Sequence, residues 1–148
     1  MSRYLVTGCA GFIGSCLVDT LLAEGHAVVG VDAFTDYYPR DRKQAAIAAA
    51  ASHPAFELVE HDLGDGPPPD QALEGVDGVF HLAARPGVRA SWGEGFEPYV
   101  HDNVLATHVV ADQEEIDPLR PVVPQIGLDQ VLGIADEDGH RKAHGSAL

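Results

Sequence analysis

The sequence predicts an α/β protein with a doubly wound parallel sheet, and three observations carry that expectation. Short apolar runs recur at residues 4–6, 27–32, 56–60 and 77–84, with helical segments between them. Parallel strands require such crossovers, so the alternation implies a parallel sheet covered by helices. The run "AVVGVD" at 27–32 is apolar until its last residue, as expected of a strand buried on both faces. Finally, glycines recur three residues apart, at Gly8, Gly11 and Gly14, where the first strand should hand over to the first helix.

Each element follows in order. Tyr4 to Val6 is a short strand ending at Thr7. Residues 12–24 follow as a helix, with Ile13, Leu17 and Leu21 at helical spacing and Val18 and Leu22 widening the stripe. Gly25 stops that helix. After the second strand, "AFTDYYP" is a loop, and 40–51, with the run "QAAIAAAA", favours helix by composition. Phe56 to Glu60 is the third strand, "GDGPPPD" a loop, and 70–75 a short helix. "DGVFHLAA", 77–84, is the fourth strand and "RPGVRASWGEG" a loop. From Glu97 to Val110 a helix resumes, with Val100, Val104 and Leu105 expected to face inward. The sheet is thus expected to stop after about four strands.

At 148 residues, 45% of them apolar, the chain suits one domain with a sizeable core. A formal charge of −14 disfavours nucleic acid and anionic membrane surfaces as partners. No apolar run approaches the ~20 residues needed to span a bilayer. The apolar start is broken by glycines, unlike a signal peptide. Cys9 and Cys16 form neither a disulfide framework nor a zinc site. A cytoplasmic protein is the expectation.

The glycine turn "VTGCAGFIG" has a physical rationale. The chain must turn sharply, expose bare backbone to a ligand, and pack a helix closely on a strand. The amides of Phe12 and Ile13 would then face an anion, helped by the helix dipole, and a pyrophosphate suits such a place. Asp32 closes the second strand, 18 residues after Gly14, where an acid accepts hydrogen bonds from adenosine ribose hydroxyls. Its charge disfavours a 2′-phosphate, which makes NAD preferable to NADP. Arg40, Arg42 and Lys43 argue the other way if they face the ligand, but read more simply as a solvated helix face. The plain alternative for the glycines is a tight turn with no ligand.

These residues resemble the extended short-chain dehydrogenases, the NAD-dependent sugar-nucleotide epimerases and dehydratases with their Rossmann-like domain. "TGCAGFIG" has the family's Gly-x-x-Gly-x-x-Gly spacing. "HDL" at 61–63 resembles the segment that contacts the adenine, here Asp62 and Leu63. "HLAA" at 81–84 resembles the strand passing beneath the cofactor, which implicates Leu82, Ala83 and Ala84. "YVHDNVLAT" resembles the helix with a structural Asn, here Asn103, and Thr107 further along. "VDAFTDYY" and "PGVRASW" look most like the UDP-glucuronate 4-epimerase branch. The resemblance implies bound NAD and a UDP-sugar substrate. It also implies a Tyr base lowered in pKa by a nearby Lys, and hydride transfer to and from the cofactor.

That Tyr and Lys should appear as Tyr-x-x-x-Lys. Tyr4, Tyr37, Tyr38 and Tyr99 are followed four places on by Gly8, Asp41, Arg42 and Asn103, so none qualifies. No catalytic residue and no metal site is therefore assigned. The resemblance covers about residues 3–111 and fails near Val110 to Asp112. Two regions are expected: an NAD-binding Rossmann-like domain, 1–111, and an acidic, Pro-containing tail, 112–148, read as disordered chain or one edge strand. Three functions compete: an epimerase completed by another chain, a non-catalytic NAD-binding fragment, and an inactive truncated product that self-associates as a homo-oligomer through its unfinished sheet edge. Other candidates have plainer readings. His140 and His144 read as polar tail, His101 and His108 as surface, and His81 as a hydrogen-bonded core histidine. Asp65, Asp70 and Glu74 read as a solvated loop, and Arg89 and Ser91 as loop residues or as neighbours of the sugar.

Overall fold

The structure, a computed structural model, describes residues 1–87 and 96–113. Strands β1 (Arg3–Thr7), β2 (Ala27–Asp32), β3 (Phe56–Glu60) and β4 (Gly78–His81) form one sheet in the order β3-β2-β1-β4. All three pairings are parallel, with Leu5 opposite Val29 and Val79, and Val29 opposite Glu57. The expected doubly wound α/β Rossmann-like sheet is therefore present. Its crossovers carry α1 (Phe12–Ala23), α2 (Arg40–Ala46) and α3 (Asp70–Leu73). Beyond β4, α4 (Phe96–Tyr99), a π-helical stretch (Val100–Leu105) and α5 (Ala106–Ala111) run end to end.

Side chains alternate across β1 and so divide the core in two. Tyr4 and Val6 pack with Leu17, Val18, Leu21 and Leu22 of α1 on one face. Leu5, with Val29 and Val31, meets Leu63, Ala72, Leu73, Ala106 and Val110 on the other. Both faces of the central strands are thus dry, which is why their sequence is continuously apolar. Cys9 is fully buried against this core, its Sγ 2.7 Å from where a Cβ on Gly30 would stand. Burial, reinforced by the Asp32 charge, pushes its thiol up to about 12. Cys16 lies exposed on α1. Among the described residues no helix is long and apolar enough to cross a membrane.

Several boundaries and faces differ from expectation for identifiable reasons. Helix α1 stops where Gly25 takes φ +83°, and His26 N–H donates back to Leu21 O at 3.0 Å, a glycine-terminated helix end. The alanine run does not continue α2. The chain turns at Ile47 to bury that side chain with Ala10 and Phe34, then forms a 3-10 turn at Ala50–Ser52, so packing overrides propensity. Strand β4 ends at His81 rather than Ala84, because β1 has turned away at Gly8 and no ladder partner remains there. On the last helix Val104 and Leu105 point outward, 58% and 44% exposed, while Ala106 and Val110 are buried. The π turn carries an extra residue relative to an α-helix and shifts the inward face onto Asp102, Asn103, Ala106 and Val110. The tail from 114 and the loop residues Arg89 and Ser91 lie outside the described residues, as do His140 and His144.

Candidate functional site

A cavity of about 390 Å³ opens at the carboxyl ends of the strands, where ligands collect in open α/β sheets. Its lining draws on every crossover. Gly8, Gly11, Phe12 and Ile13 come from the first turn, Asp32 from β2, Asp62 and Leu63 from the turn after β3, and Leu82, Ala83 and Ala84 from the segment after β4. Of the sequence candidates, Gly14 and Asn103 alone do not line it.

The glycine turn is packed backbone on backbone. Gly8 takes φ +66°, and a Cβ there would stand 2.8 Å from Ala83 N. A Cβ on Gly14 would stand 2.1 Å from Gly8 O, so Gly14 lets α1 approach the turn rather than a ligand. Gly11 is the N-cap of α1, and Gly11 N–H donates to Gly8 O at 3.0 Å. The first intrahelical donor is Ser15, bonded to Gly11 O. The amides of Phe12, Ile13 and Gly14 are therefore the open donors of a twelve-residue helix, at its positive end. Phe12 is 77% exposed.

Asp32 is more committed than its sequence position suggests. It is buried, and Oδ2 accepts from Ala10 N at 3.0 Å. Oδ1 accepts from Phe34 N at 2.8 Å and Lys43 Nζ at 2.9 Å. A carboxylate offers about four acceptor directions, so about one is left for a ligand hydroxyl. Phe34, at φ +49°, is held in its strained left-handed backbone by that bond and by burial of its ring with Ala10 and Ile47.

Lys43 corrects the reading of a solvated helix face: it is buried, lines the cavity and neutralises Asp32. Arg42 does lie outward, over the Tyr38 ring at 5.0 Å, and Arg40 Nη1 donates to Glu60 at 2.9 Å. Ile47 stands four residues on, just past the end of α2, and that apolar spacing was the signal that could have found Lys43. Tyr37, Tyr38, His61 and Arg85 also line the cavity without having been singled out. Nothing local in the sequence brings them together.

Side-chain hydrogen bonds brace the segment after β4 from behind the cavity lining. Thr7 Oγ1 accepts from Leu82 N at 3.0 Å and Ala83 N at 3.1 Å, so its one proton goes to His81 Nδ1 at 2.7 Å. His81 Nε2–H then donates to Thr107 Oγ1 at 3.0 Å, and Thr107 donates to Asn103 O at 2.6 Å. This bookkeeping makes His81 a neutral Nε2–H tautomer, and burial lowers its pKa from 6.5. Asn103 clamps both backbone groups of one residue: its Oδ1 accepts from Arg85 N at 2.7 Å and its Nδ2 donates to Arg85 O at 3.1 Å. Arg85 Nε donates to Asp102 Oδ2 at 2.6 Å. His101 is not a plain surface residue, because the Asp62, Asp65 and Asp102 carboxylates surround its ring.

Known proteins resemble this chain in sequence and fold. The GDP-mannose 4,6-dehydratase family model matches residues 5–115. The chain is 43% identical over 107 residues to an uncharacterised UDP-glucose epimerase, YtcB, of Bacillus subtilis, covering 70% of this chain and 33% of that protein. It is 39% identical over 107 residues to a probable UDP-glucuronate 4-epimerase of Rhizobium meliloti, covering 71% of this chain and 31% of the relative. Among solved structures, UDP-glucuronic acid 4-epimerase of Bacillus cereus, in complex with UDP-glucuronic acid and NAD, superposes with a TM-score of 0.68 at 39% identity. That match covers 73% of this chain and 34% of the other. The chain thus spans about a third of the length of the relatives it matches. With the glycine turn, the four-strand parallel sheet and the family match all falling within the same residues, the chain belongs to the GDP-mannose 4,6-dehydratase family of sugar-nucleotide epimerases and dehydratases.

Proposed function

We propose that this chain is the NAD-binding half of a UDP-glucuronate 4-epimerase-like protein, and that alone it binds NAD without turning over sugar. The observation that carries the reading is the cavity itself, with open amides at its glycine turn and the Asp32 carboxylate about one strand away. Gly8 and Gly11 leave the backbone bare, and the amides of Phe12 and Ile13 would meet the pyrophosphate, with Gly14 supporting them from below. The remaining acceptor direction of Asp32 would take an adenosine ribose hydroxyl. Asp62 and Leu63 would wall the adenine. Leu82, Ala83 and Ala84 would lie under the dinucleotide, and Asn103 would act indirectly, through Arg85. When bound, NAD would supply the hydride acceptor of the family's reaction. This chain's residues bind and orient it, and no tyrosine here has a lysine four positions on to remove a sugar proton. A UDP-sugar is the proposed substrate class of the whole protein. The two free thiols fit a cytoplasmic setting.

Calorimetry and thermal melts with NAD test the proposal on a sample shown to be folded. The expected result is heat of binding and a rise in melting temperature, with ligand at ~100-fold its Kd adding about 2.7 kcal/mol. Incubation with NAD and UDP-glucuronate should yield no UDP-galacturonate. Absence of any NAD effect on folded protein overturns the binding reading, and product formation overturns the claim of no turnover. Sedimentation of the same samples reports whether a homo-oligomer forms.

A further inference from the structure

His101 lies in the π stretch, and carboxylates converge on it from two elements. Its Nδ1 is 2.9 Å from Asp102 Oδ1 on its own stretch and 4.0 Å from Asp62 Oδ1 across the gap. Its Nε2 is 3.4 Å from Asp65 Oδ1. Asp62 and Asp65 bracket the 3-10 turn (Leu63–Asp65) that carries Leu63 to the cavity wall. The ring lies directly on that turn: a Cβ on Gly64 would fall 2.1 Å from His101 Cε1. Gly64 is therefore the residue that admits the imidazole.

We propose that His101, as an imidazolium, is a positioning residue that fastens the turn 62–65 to the last helix and so sets the wall of the nucleotide cavity. That the cavity takes NAD rests on the reading above; the fastening of the turn does not. The charge logic is specific. A neutral imidazole has one N–H and can serve one carboxylate. The imidazolium has two, one for Asp102 and one for Asp65, with the Asp62 charge nearby.

The groups facing the ring are Asp62 and Asp65 from the turn, Asp102 from the helix, and Arg85 behind Asp102, bonded to its other oxygen. His61, on the same turn, is engaged with Gly66 O at 2.9 Å. The Asp102 hydrogen bond, then that of Asp65, holds the His101 pKa above its ordinary 6.5. The fastening is therefore complete below pH 6.5 and is lost as pH rises through the raised value.

The test compares the full chain with His101→Gln, and with Asp65→Asn in case the first variant does not fold. Backbone amide exchange at Gly64 and Asp65, histidine NMR titration and NAD affinity are measured from about pH 6 to about pH 9. In the wild type, His101 should titrate above 6.5, and the protection factor of the turn, exchange corrected for its base-catalysed intrinsic rate, should fall about fivefold or more across the range. NAD affinity should fall in parallel. His101→Gln should show a low protection factor and weakened NAD binding already at the acid end, with no pH dependence of the protection factor. Asp65→Asn should move the slope to lower pH. A His101 titration at or below 6.5, or a variant with the wild-type exchange profile, overturns the proposal. If NAD binds neither protein while the exchange profile behaves as described, the cofactor reading falls and the fastening stands.

Discussion

Around the glycine turn the cavity wall is backbone set against backbone. A Cβ on Gly14 would collide with Gly8 O, and a Cβ on Gly8 with Ala83 N. The one ion pair there, Asp32 with Lys43, is buried. Behind the lining residues Leu82 to Arg85 the support is side chain against side chain: Thr7 with His81, His81 with Thr107, Asn103 with the Arg85 backbone, and His101 among three aspartates. The first is fixed by volume and desolvation, which protons do not change near neutrality. The second is fixed by hydrogen bonds whose histidine partners titrate. The cavity lining is thus held partly by contacts indifferent to pH and partly by contacts behind it that respond to pH.

The comparison is most sharply tested by Asp32→Ala, which strands Lys43 without a partner in a buried position. The expected loss is about 3–5 kcal/mol in denaturant unfolding, and Asp32→Ala combined with Lys43→Met should recover most of it. A small loss in the single variant would mean that the pair is wetter than its burial implies. Gly14→Ala comes next, at about 1–3 kcal/mol or more, since a backbone oxygen cannot move aside as a side chain can. The Gly14→Ala loss should not depend on pH near neutrality.

The smallest effect belongs to the histidine network behind the lining. Burial lowers the His81 pKa, so the unfolded chain takes up a proton first as pH falls. The His81 contribution is complete above pH 6.5 and declines as pH drops from there through the lowered folded value. Unfolding midpoints measured across that window should fall modestly in the wild type, and this component should vanish in His81→Gln. A midpoint that rises on acidification would contradict the assigned tautomer.

The same division explains how much was legible beforehand. Strand order and the glycine turn depend on residues close in sequence, so Gly8, Gly11, Gly14 and the apolar runs announced them. Ten strand and turn candidates met at one cavity because parallel strands all deliver their carboxyl ends to the same edge. Lys43 was misplaced because charge alone suggested solvent, although the apolar Ile47 stands four residues on and is buried. Val104 and Leu105 were misplaced because a π turn breaks the 3.6-residue count that the inward face was read from. The histidine bonds join residues as far apart as Thr7 and His81, and no local pattern encodes them.

The buried thiol described above equips the molecule with a readout of its own opening. Cys16 meets solvent and should react with an alkylating reagent at once, whereas Cys9 is sealed, its thiol pushed up to about 12 by burial. Modification of the second sulfur must wait for the core to part. Counting alkyl groups over time by mass spectrometry would therefore clock that event in the unaltered chain, and a ligand that seals the cavity should slow the clock.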